Sequence, residues 1–323
     1  MKAIALISGG LDSILAAKLI EQQGIEVIAL HFNIGFAHRD KEIPPTIEIK
    51  LKIIDVARDF LGVLKSPRYG FGSNMNPCID CKIFMLNKAR KLMPEFNAEF
   101  VVTGEVLGQR PMSQNRQALG VIEKESGLEG LLLRPLSAKL MLETIPEQRG
   151  WVIRDKLLDF NGRSRKPQLE LAKCLGVRNF SQPAGGCLLT DPEFSKRLTD
   201  LIVHQELNLH NVELLKIGRH FRLSGDVKLV VGRDEKEDNM LLDMAKENDY
   251  LFLPPEDIAG PTSLSRGKSS DELIQAAADI TAYYCKFNAS SEQEVVYRQF
   301  PQSETQRLKV SSLGEDRIIS LRI

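Results

Sequence analysis

The first half of the chain alternates between short apolar runs and longer amphipathic segments. Residues 3–7 form an apolar run that predicts a buried strand, and residues 14–20 carry apolar side chains at helical spacing. Residues 25–32 and 99–103 predict further strands, and residues 46–61 predict a helix between them. Strands that alternate with helices indicate an α/β fold, here a doubly wound parallel sheet with helices on both faces.

The pattern changes near residue 212, after a predicted bridging helix. Beyond that point, short apolar strands alternate with loops rich in proline and glycine, and a helix is predicted at residues 271–284. We therefore expect a second, smaller α+β domain. The predicted organisation is a first domain at residues 1–190, a linker helix at 191–211 and the α+β domain at 212–323.

Composition narrows the class of protein. The 323-residue sequence has no apolar run near the roughly 20 residues that a membrane span requires. It enters a strand directly, without a signal peptide, so we expect a cytoplasmic location and no membrane partner. Five cysteines are an odd number, which argues against a disulfide framework. The formal net charge is zero, so the whole chain carries no nucleic-acid signal, and the oligomeric state stays open.

One basic cluster departs from that neutral balance. It either follows a phosphate backbone or forms a solvated helix face, and the sequence does not separate the two. Its members are Arg154, Lys156, Arg163, Arg165, Lys166, Lys173 and Arg178.

The loop between the first strand and the first helix carries the most informative chemistry. It reads Ser8-Gly9-Gly10-Leu11-Asp12-Ser13. The glycines allow a close backbone approach to an anion, and the helix start offers unpaired N–H groups and a positive dipole end. Ser8 and Ser13 can donate to phosphate oxygens, whereas the Asp12 carboxylate fits there if Mg²⁺ lies between it and the phosphates. The alternative is an ordinary strand–turn–helix corner with capping serines.

This hexapeptide lacks the lysine of the Walker loop and resembles the signature of the PP-loop ATP pyrophosphatase superfamily. The resemblance implies an adenine nucleotide alpha-hydrolase-like fold for the first domain. It also implies cleavage of ATP between the α and β phosphates and adenylation of a substrate carbonyl, with ATP and Mg²⁺ as cofactors. The loop residues would contact the nucleotide, and Asp12 would be catalytic.

A second motif follows the strand at residues 99–103. It runs from Thr103 to Gln114 and reads TGEVLGQRPMSQ. Parallel strands present their ligands at their carboxyl ends, so this loop and the first are expected to meet. Together they resemble the 4-thiouridine synthetase family, whose phrase is TGE-x-x-GQ-x-x-SQ, with one residue inserted here between Gln109 and Ser113. The alternative is a polar strand-to-helix loop capped by Ser113.

Further phrases extend this resemblance over about residues 1–190. NPCIDC at residues 76–81 is similar to the NPCxxC phrase of the 2-thiouridylases, and Arg134-Pro135-Leu136 matches a strand-end phrase. The resemblance implies further nucleotide contacts beyond the first loop. They are His31, Phe32, Lys82, Gly104, Gln109 and Gln114.

Three cysteines are candidates for sulfur chemistry. The pair Cys78-x-x-Cys81 at a helix start presents two thiolates to one side of a metal, and the helix dipole lowers their pKa. A glycine-containing loop brings in Cys187 as a third ligand. Related thiolation enzymes hold a [4Fe–4S] cluster on such a set, so the resemblance implies that these three residues are catalytic metal ligands. The alternatives are a persulfide relay and a structural zinc site completed by His31 or His38.

The resemblance implies an ATP-dependent tRNA sulfurtransferase that adenylates a uridine carbonyl and replaces its oxygen with sulfur. A donor protein or free sulfide would supply the sulfur. The second domain resembles the RNA-binding module of ribosome quality-control factors through LVVGR at 229–233 and DIAGPT at 257–262. Two other functions stay open: an amidotransferase-like ligase that adenylates a non-RNA acceptor, and a non-catalytic nucleotide- and RNA-binding adaptor. Amidation does not need the three cysteines, which distinguishes the first of these from thiolation.

Overall fold

The structure is a computed structural model that describes residues 1–37, 51–178, 180, 186–287, 293–310 and 314–323. The chain divides into two compact units, Met1–Asp191 and Pro192–Ile323. The described residues form one sheet in each unit, parallel in the first and antiparallel in the second.

The first unit is built on a five-stranded parallel sheet in the order β3-β2-β1-β4-β5 over the described residues. The strands are β1 (Lys2–Leu6), β2 (Glu26–Asn33), β3 (Leu51–Asp55), β4 (Phe100–Val102) and β5 (Leu132–Leu133). The helices are α1 (Leu11–Glu21), α2 (Ala57–Lys65), α3 (Cys78–Phe96), α4 (Arg116–Glu125), α5 (Ile145–Gln148) and α6 (Lys166–Cys174).

Strand β1 is covered on both faces. Ala3 and Ala5 pack with Leu15 of α1 in one core, and Ile4 packs with Leu86 of α3 in the other. Side chains alternate between the faces of a strand, so a run that is apolar at every position suits this central place. The predicted doubly wound α/β sheet is confirmed.

The strand order creates a switch point between β1 and β4. The chain continues from β1 to β2 and β3 on one side, and β4 and β5 lie on the other. Open α/β sheets bind ligands outside the carboxyl ends of their strands at such a point. The 8–13 loop follows β1 and Thr103 follows β4, so both sequence motifs begin there.

The predicted helix at residues 46–61 is wrong for residues 51–55 and is confirmed for residues 57–61. Residues Leu51–Asp55 form β3, which pairs in parallel with β2, and α2 begins only at Ala57. The β-branched Ile53 and Ile54 suit a strand, and tertiary pairing overrides the helical spacing. Residues 46–50 lie outside the described residues.

The second unit is an antiparallel sheet with helices, which confirms the predicted α+β class. The order of its six described strands is β11-β10-β8-β9-β7-β6. The strands are β6 (Arg219–Ser224), β7 (Val227–Val231), β8 (Tyr250–Leu253), β9 (Ser263–Arg266), β10 (Glu294–Gln299) and β11 (Gln306–Lys309). The helices are α7 (Pro192–Val203), α8 (Leu209–Leu214), α9 (Glu235–Asp243), α10 (Asp271–Tyr283) and α11 (Glu315–Leu321).

Four charged residues of the second unit form what we call the Asp200 cluster: Asp200, Glu206, Arg222 and Lys228. Arg222 donates through Nε to Asp200 at 3.0 Å and through Nη1 to Glu206 at 2.9 Å. Lys228 donates to Asp200 at 3.0 Å. Burial lowers the pKa of Lys228 to about 8, against the attraction of Asp200. Every charge in this cluster has an opposite charge in contact.

Among the described residues, no helix combines the length and apolar character needed to cross a bilayer.

Candidate functional site

The 8–13 loop folds around its two serine hydroxyls. Ser13 Oγ donates to the Gly10 carbonyl at 2.8 Å and accepts from the Ser8 N–H at 3.2 Å. Gly9 has a φ of +75°, which glycine adopts without strain. Gly10 stands at the N-cap of α1 and gives no side-chain cap. The helix start therefore presents its first N–H groups uncapped, an arrangement that favours an anion.

Gly104 brings the loop after β4 against the start of α1. A Cβ at this position would lie 2.4 Å from the Asp12 carbonyl carbon and 2.4 Å from the Ser13 nitrogen. These are backbone atoms, so only glycine permits the contact. We call residues 104–114 the 104–114 loop.

The Asp12 side chain is contacted by two other segments of the chain, the 104–114 loop and the start of α6. Gln109 Nε2 donates to Asp12 Oδ2 at 2.9 Å, and Arg165 Nη2 lies 3.4 Å from the same oxygen. The other carboxylate oxygen, Asp12 Oδ1, is buried without a hydrogen-bond partner in the described part of the protein, as are Gln109 Oε1 and Arg165 Nε. Buried polar atoms without partners are rare and costly. The arrangement therefore suits a polar ligand.

Arg165 is the site residue that the sequence did not single out, since there it was one member of the basic cluster. Its position depends on a long-range contact. Leu107 and Asn161 form a parallel bridge, and the Gly162 N–H donates to the Leu107 carbonyl at 2.8 Å. This pairing carries the segment before α6 to the 104–114 loop and so brings Arg165 to Asp12.

Glu105 forms ion pairs with Arg134 and with Lys82, which the sequence predicted as a nucleotide contact. The buried Glu105 carboxylate accepts from Arg134 Nε at 3.1 Å and from the Thr103 hydroxyl at 3.0 Å, and Lys82 Nζ lies 3.9 Å away. Burial alone would raise the pKa of Glu105, but Lys82 and Arg134 hold it below its usual value. The carboxylate thus stays charged and fixes the base of the loop.

The remaining predicted nucleotide contacts lie at the same edge of the sheet or behind it. His31 Nδ1 is 2.8 Å from the Ile7 carbonyl oxygen, just before the 8–13 loop. Gln114 is buried, and its Oε1 has no hydrogen-bond partner among the described residues. Phe32 packs in the core with Ile4.

The structure gathers the three predicted cysteines into one neighbourhood. Cys78 and Cys81 stand in the first turn of α3. Cys187 is held by a backbone bridge to Ala37. Burial raises the pKa of Cys81, and the nearby Cys187 and Cys78 sulfurs raise it further. That mutual effect requires the thiols to be close together.

Cys81 and Cys187 are protonated near neutral pH. Burial raises the pKa of Cys187 to about 11, although a backbone hydrogen bond from Leu189 and the charge of Arg110 act in the other direction. The pKa of Cys81 is raised. The expectation that the helix start lowers the pKa of the Cys78/Cys81 pair is therefore wrong for Cys81. Loss of hydration of a thiolate outweighs the dipole of the helix there.

The 104–114 loop contacts Asp12 at one end and lies beside Cys78 at the other. Gly104 and Gln109 contact Asp12. Farther along, Met112 Sδ lies 3.8 Å from Asn76 Nδ2, which itself lies 3.2 Å from Cys78 Sγ. One short segment of chain therefore connects the Asp12 side of the site to the cysteines.

Within the described ranges, no group of three or more His, Cys, Asp or Glu side chains is arranged so that it could hold a metal ion. His31 is engaged with the backbone of Ile7. His38, the other histidine considered as a zinc ligand, lies outside the described residues.

Two family models match the chain, one in each unit. Residues 1–141 match the thiamine biosynthesis protein (ThiI) model. Residues 218–321 match the NFACT protein RNA binding domain, in line with the resemblance of the second domain to an RNA-binding module.

Curated relatives match parts of the chain. A probable tRNA sulfurtransferase of Thermococcus kodakarensis is 30% identical over 142 residues, 42% of this chain and 36% of that protein. A tRNA-specific 2-thiouridylase MnmA 2 of Fusobacterium nucleatum is 30% identical over 113 residues, 32% and 33% of the two chains. A 7-cyano-7-deazaguanine synthase of a Sulfurovum species is 55% identical over 42 residues, 13% of this chain and 19% of that protein.

These matches span about a third or less of each relative's own length. The family model covers residues 1–141, which include both loops that meet at Asp12. The first unit thus contains a ThiI-like PP-loop ATP pyrophosphatase domain, related to those of tRNA sulfurtransferases and MnmA thiouridylases.

Proposed function

We propose that this chain is an ATP-dependent sulfurtransferase that acts on uridine in tRNA. The observation that carries the proposal is the path of the 104–114 loop, which contacts Asp12 through Gln109 and lies beside Cys78 through Met112 and Asn76. The part of the loop at Gln109 and Asp12 suits activation of a base by ATP, and the part at Met112, beside Cys78, suits delivery of sulfur.

The first step is adenylation. The uridine carbonyl oxygen attacks the α phosphorus of ATP, the bond from that phosphorus to the bridging oxygen breaks, and pyrophosphate leaves. The Ser8 and Ser13 hydroxyls and the start of α1 bind phosphate oxygens. The buried Asp12 Oδ1 fits a Mg²⁺ ligand, and the ion when bound offsets phosphate charge. Glu105 serves as a positioning residue because Arg134 and Lys82 keep it charged.

The second step is sulfur transfer. A sulfur nucleophile attacks the activated carbon, the carbon–oxygen bond breaks, and AMP leaves. Thiols with raised pKa values are weak nucleophiles near neutral pH, so Cys81 and Cys187 do not act as free thiolates. The sulfur reaches the base either on a metal cluster or as a persulfide.

An iron–sulfur cluster would replace the protons that burial retains on Cys81 and Cys187, although the described side chains as they stand are not arranged to hold a metal ion. Cys78, Cys81 and Cys187 would hold the cluster, which would supply sulfide to the activated base. In a persulfide relay, the terminal sulfur of one cysteine attacks the base and a second cysteine breaks the S–S bond. That route leaves a disulfide, which an external thiol must reduce.

Transfer RNA is the proposed acceptor, with the second unit as an RNA-binding part. Its match to an RNA binding domain and the sulfurtransferase relatives support this assignment. A donor protein would supply the sulfur of a persulfide relay as its own persulfide, whereas free sulfide would suffice if a cluster carries the sulfur.

The decisive experiment combines metal analysis with a thiolation assay. Protein purified without oxygen is analysed for iron, sulfide and zinc. It is then incubated with ATP, unmodified tRNA and either sulfide or a persulfide donor with a reducing thiol, and nucleosides are identified by mass spectrometry. We expect a thiolated uridine, lost in Cys81→Ser and Cys187→Ser and kept in the control Cys174→Ser, since Cys174 is exposed in α6. Cluster iron that Cys187→Ser loses would favour the cluster, and its absence after reconstitution would favour the persulfide. Full thiolation by either site variant would contradict the proposal.

A second candidate is an adenylating ligase with a non-RNA acceptor, favoured by the 55% identity with a 7-cyano-7-deazaguanine synthase segment. Such an enzyme would release pyrophosphate with a small carboxylate as acceptor and would keep its activity in both cysteine variants. Pyrophosphate release that depends on tRNA and yields no ligase product would exclude it.

A further inference from the structure

A segment outside both family models supplies polar groups to the Asp12 site. The models cover residues 1–141 and 218–321. Asn161 and Gly162 pair with Leu107, and the chain then enters α6 with Arg165 as its N-cap residue. The proposed nucleotide site therefore includes residues beyond those that the ThiI model matches.

Two side chains of this segment lack partners for buried atoms. Arg165 reaches Asp12 Oδ2 through Nη2 at 3.4 Å, a long contact, and its Nε has no hydrogen-bond partner among the described residues. Gln168 is fully buried, and neither its Oε1 nor its Nε2 has a partner there. Residues three apart on a helix share a face, so Gln168 stands one turn behind Arg165.

The location of these groups indicates which part of a nucleotide they would meet. α6 packs against α1, whose start carries the 8–13 loop. Arginine forms paired hydrogen bonds with phosphate, and a cation beside Asp12 compensates that carboxylate until an anion arrives. A buried glutamine with two unpartnered atoms is costly in the protein alone and suits a hydrogen-bonding ligand.

We propose that Arg165, supported by Gln168, binds the β and γ phosphates of ATP and the pyrophosphate that leaves. This inference rests on the proposed use of ATP and adds two residues to that site. When the bond between the α phosphorus and the bridging oxygen breaks, the electron pair goes to pyrophosphate, and the Arg165 guanidinium neutralises the charge that develops there.

The test compares ATP, AMP and inorganic pyrophosphate binding by calorimetry, using the full chain with Mg²⁺. Arg165→Met should weaken ATP and pyrophosphate binding by at least about tenfold, the size of a charge-assisted contact, and leave AMP binding within about twofold. Arg165→Lys should recover part of the loss. Arg163→Met, an exposed neighbour, is the matched control and should leave all three affinities unchanged.

Gln168→Leu separates a ligand contact from a structural role. It should weaken ATP binding while the melting temperature of the free protein stays equal or rises, because two unpartnered buried atoms are removed. A lower melting temperature with normal ATP affinity would overturn the role of Gln168. Equal losses of ATP and AMP in Arg165→Met, or no loss, would overturn the pyrophosphate assignment alone. An unaltered protein that binds no ATP would overturn the proposed function as well.

Discussion

Two groups of buried charge in this protein differ in how completely they are paired. In the Asp200 cluster of the second unit, Arg222 and Lys228 together contact both carboxylates. Around Asp12 in the first unit, one carboxylate oxygen, an amide oxygen and a guanidinium nitrogen have no partner among the described residues. A cluster complete in itself stabilises its own fold, whereas an incomplete one keeps bonding capacity for a ligand.

The largest effect should come from the incomplete cluster. Asp12→Ala should slow tRNA-dependent pyrophosphate release by about 10³-fold, because it removes the carboxylate at the phosphate side of the site. Folding should change little, since the described part of the chain gives the Asp12 side chain only two hydrogen bonds. Pyrophosphate release measures the first effect, and fluorescence of Trp151, the single tryptophan, measures unfolding of the first unit. An unchanged rate would contradict the proposed activation.

A substitution in the complete cluster, the Asp200 cluster, should instead lower the stability of the second unit. Arg222→Met removes the main partner of two partly buried carboxylates, Asp200 and Glu206, and should lower the free energy of unfolding of the second unit by about 3 kcal/mol. Hydrogen exchange of β7 measures this. Arg307→Met is the matched control, because Arg307 is 73% exposed in its ion pair with Glu294, and its effect should stay within about 0.5 kcal/mol. Equal effects of the two variants would remove the distinction between the clusters.

A smaller effect tests how the incomplete cluster is assembled. Gly104→Ala places a Cβ against the backbone of Asp12 and Ser13, which should cost about 2 kcal/mol and weaken ATP binding by separating the two loops. Gly120→Ala is the control, since a Cβ on this α4 residue meets nothing within 4 Å. It should be neutral or slightly stabilising. Trp151 fluorescence in denaturant and ATP calorimetry would show whether Gly104→Ala behaves like its control instead.

The smallest expected effect is a pH dependence with opposite sign in the two units. The folded state holds the Cys187 proton up to about pH 11, beyond the usual thiol pKa, so the stability of the first unit should fall as pH rises above about 9, by at most about 2 kcal/mol. The folded pKa of Lys228 is lowered to about 8, so its contribution should grow more favourable as pH rises through about 8 to 10. Because the pKa of Cys81 is raised as well, melts from pH 8 to 10 compare the wild type with the double variant Cys81→Ala/Cys187→Ala and with Lys228→Met. A wild-type slope that persists in the double variant would contradict the assignment.

The sequence predicted the parts of the fold and site that depend on local patterns. The apolar run of β1 and the hexapeptide from Ser8 to Ser13 carry their meaning within a few residues, and the structure has the strand, the loop and the helix in that order. β3 was misassigned because the pairing that selects it comes from β2, not from its own spacing.

Long-range contacts determine the features of the site that the sequence did not predict. Arg165 was one of seven clustered cations in the sequence, and only the pairing of Asn161 with Leu107 distinguishes it. The pKa of Cys81 depends on burial by the surrounding fold, which a local helix-start pattern cannot report. The proposed ligand roles of the three cysteines and the nucleotide contacts stay predictions.

The path of the 104–114 loop has a consequence for the order of events. An adenylated base is reactive toward water, so its lifetime before sulfur arrives determines how much ATP is wasted. Because the same loop contacts Asp12 through Gln109 and lies beside Cys78 through Met112 and Asn76, the proposed activation and the proposed sulfur delivery would share one segment of chain. A ligand that displaces Gln109 would then also change the surroundings of Cys78, without a separate signal.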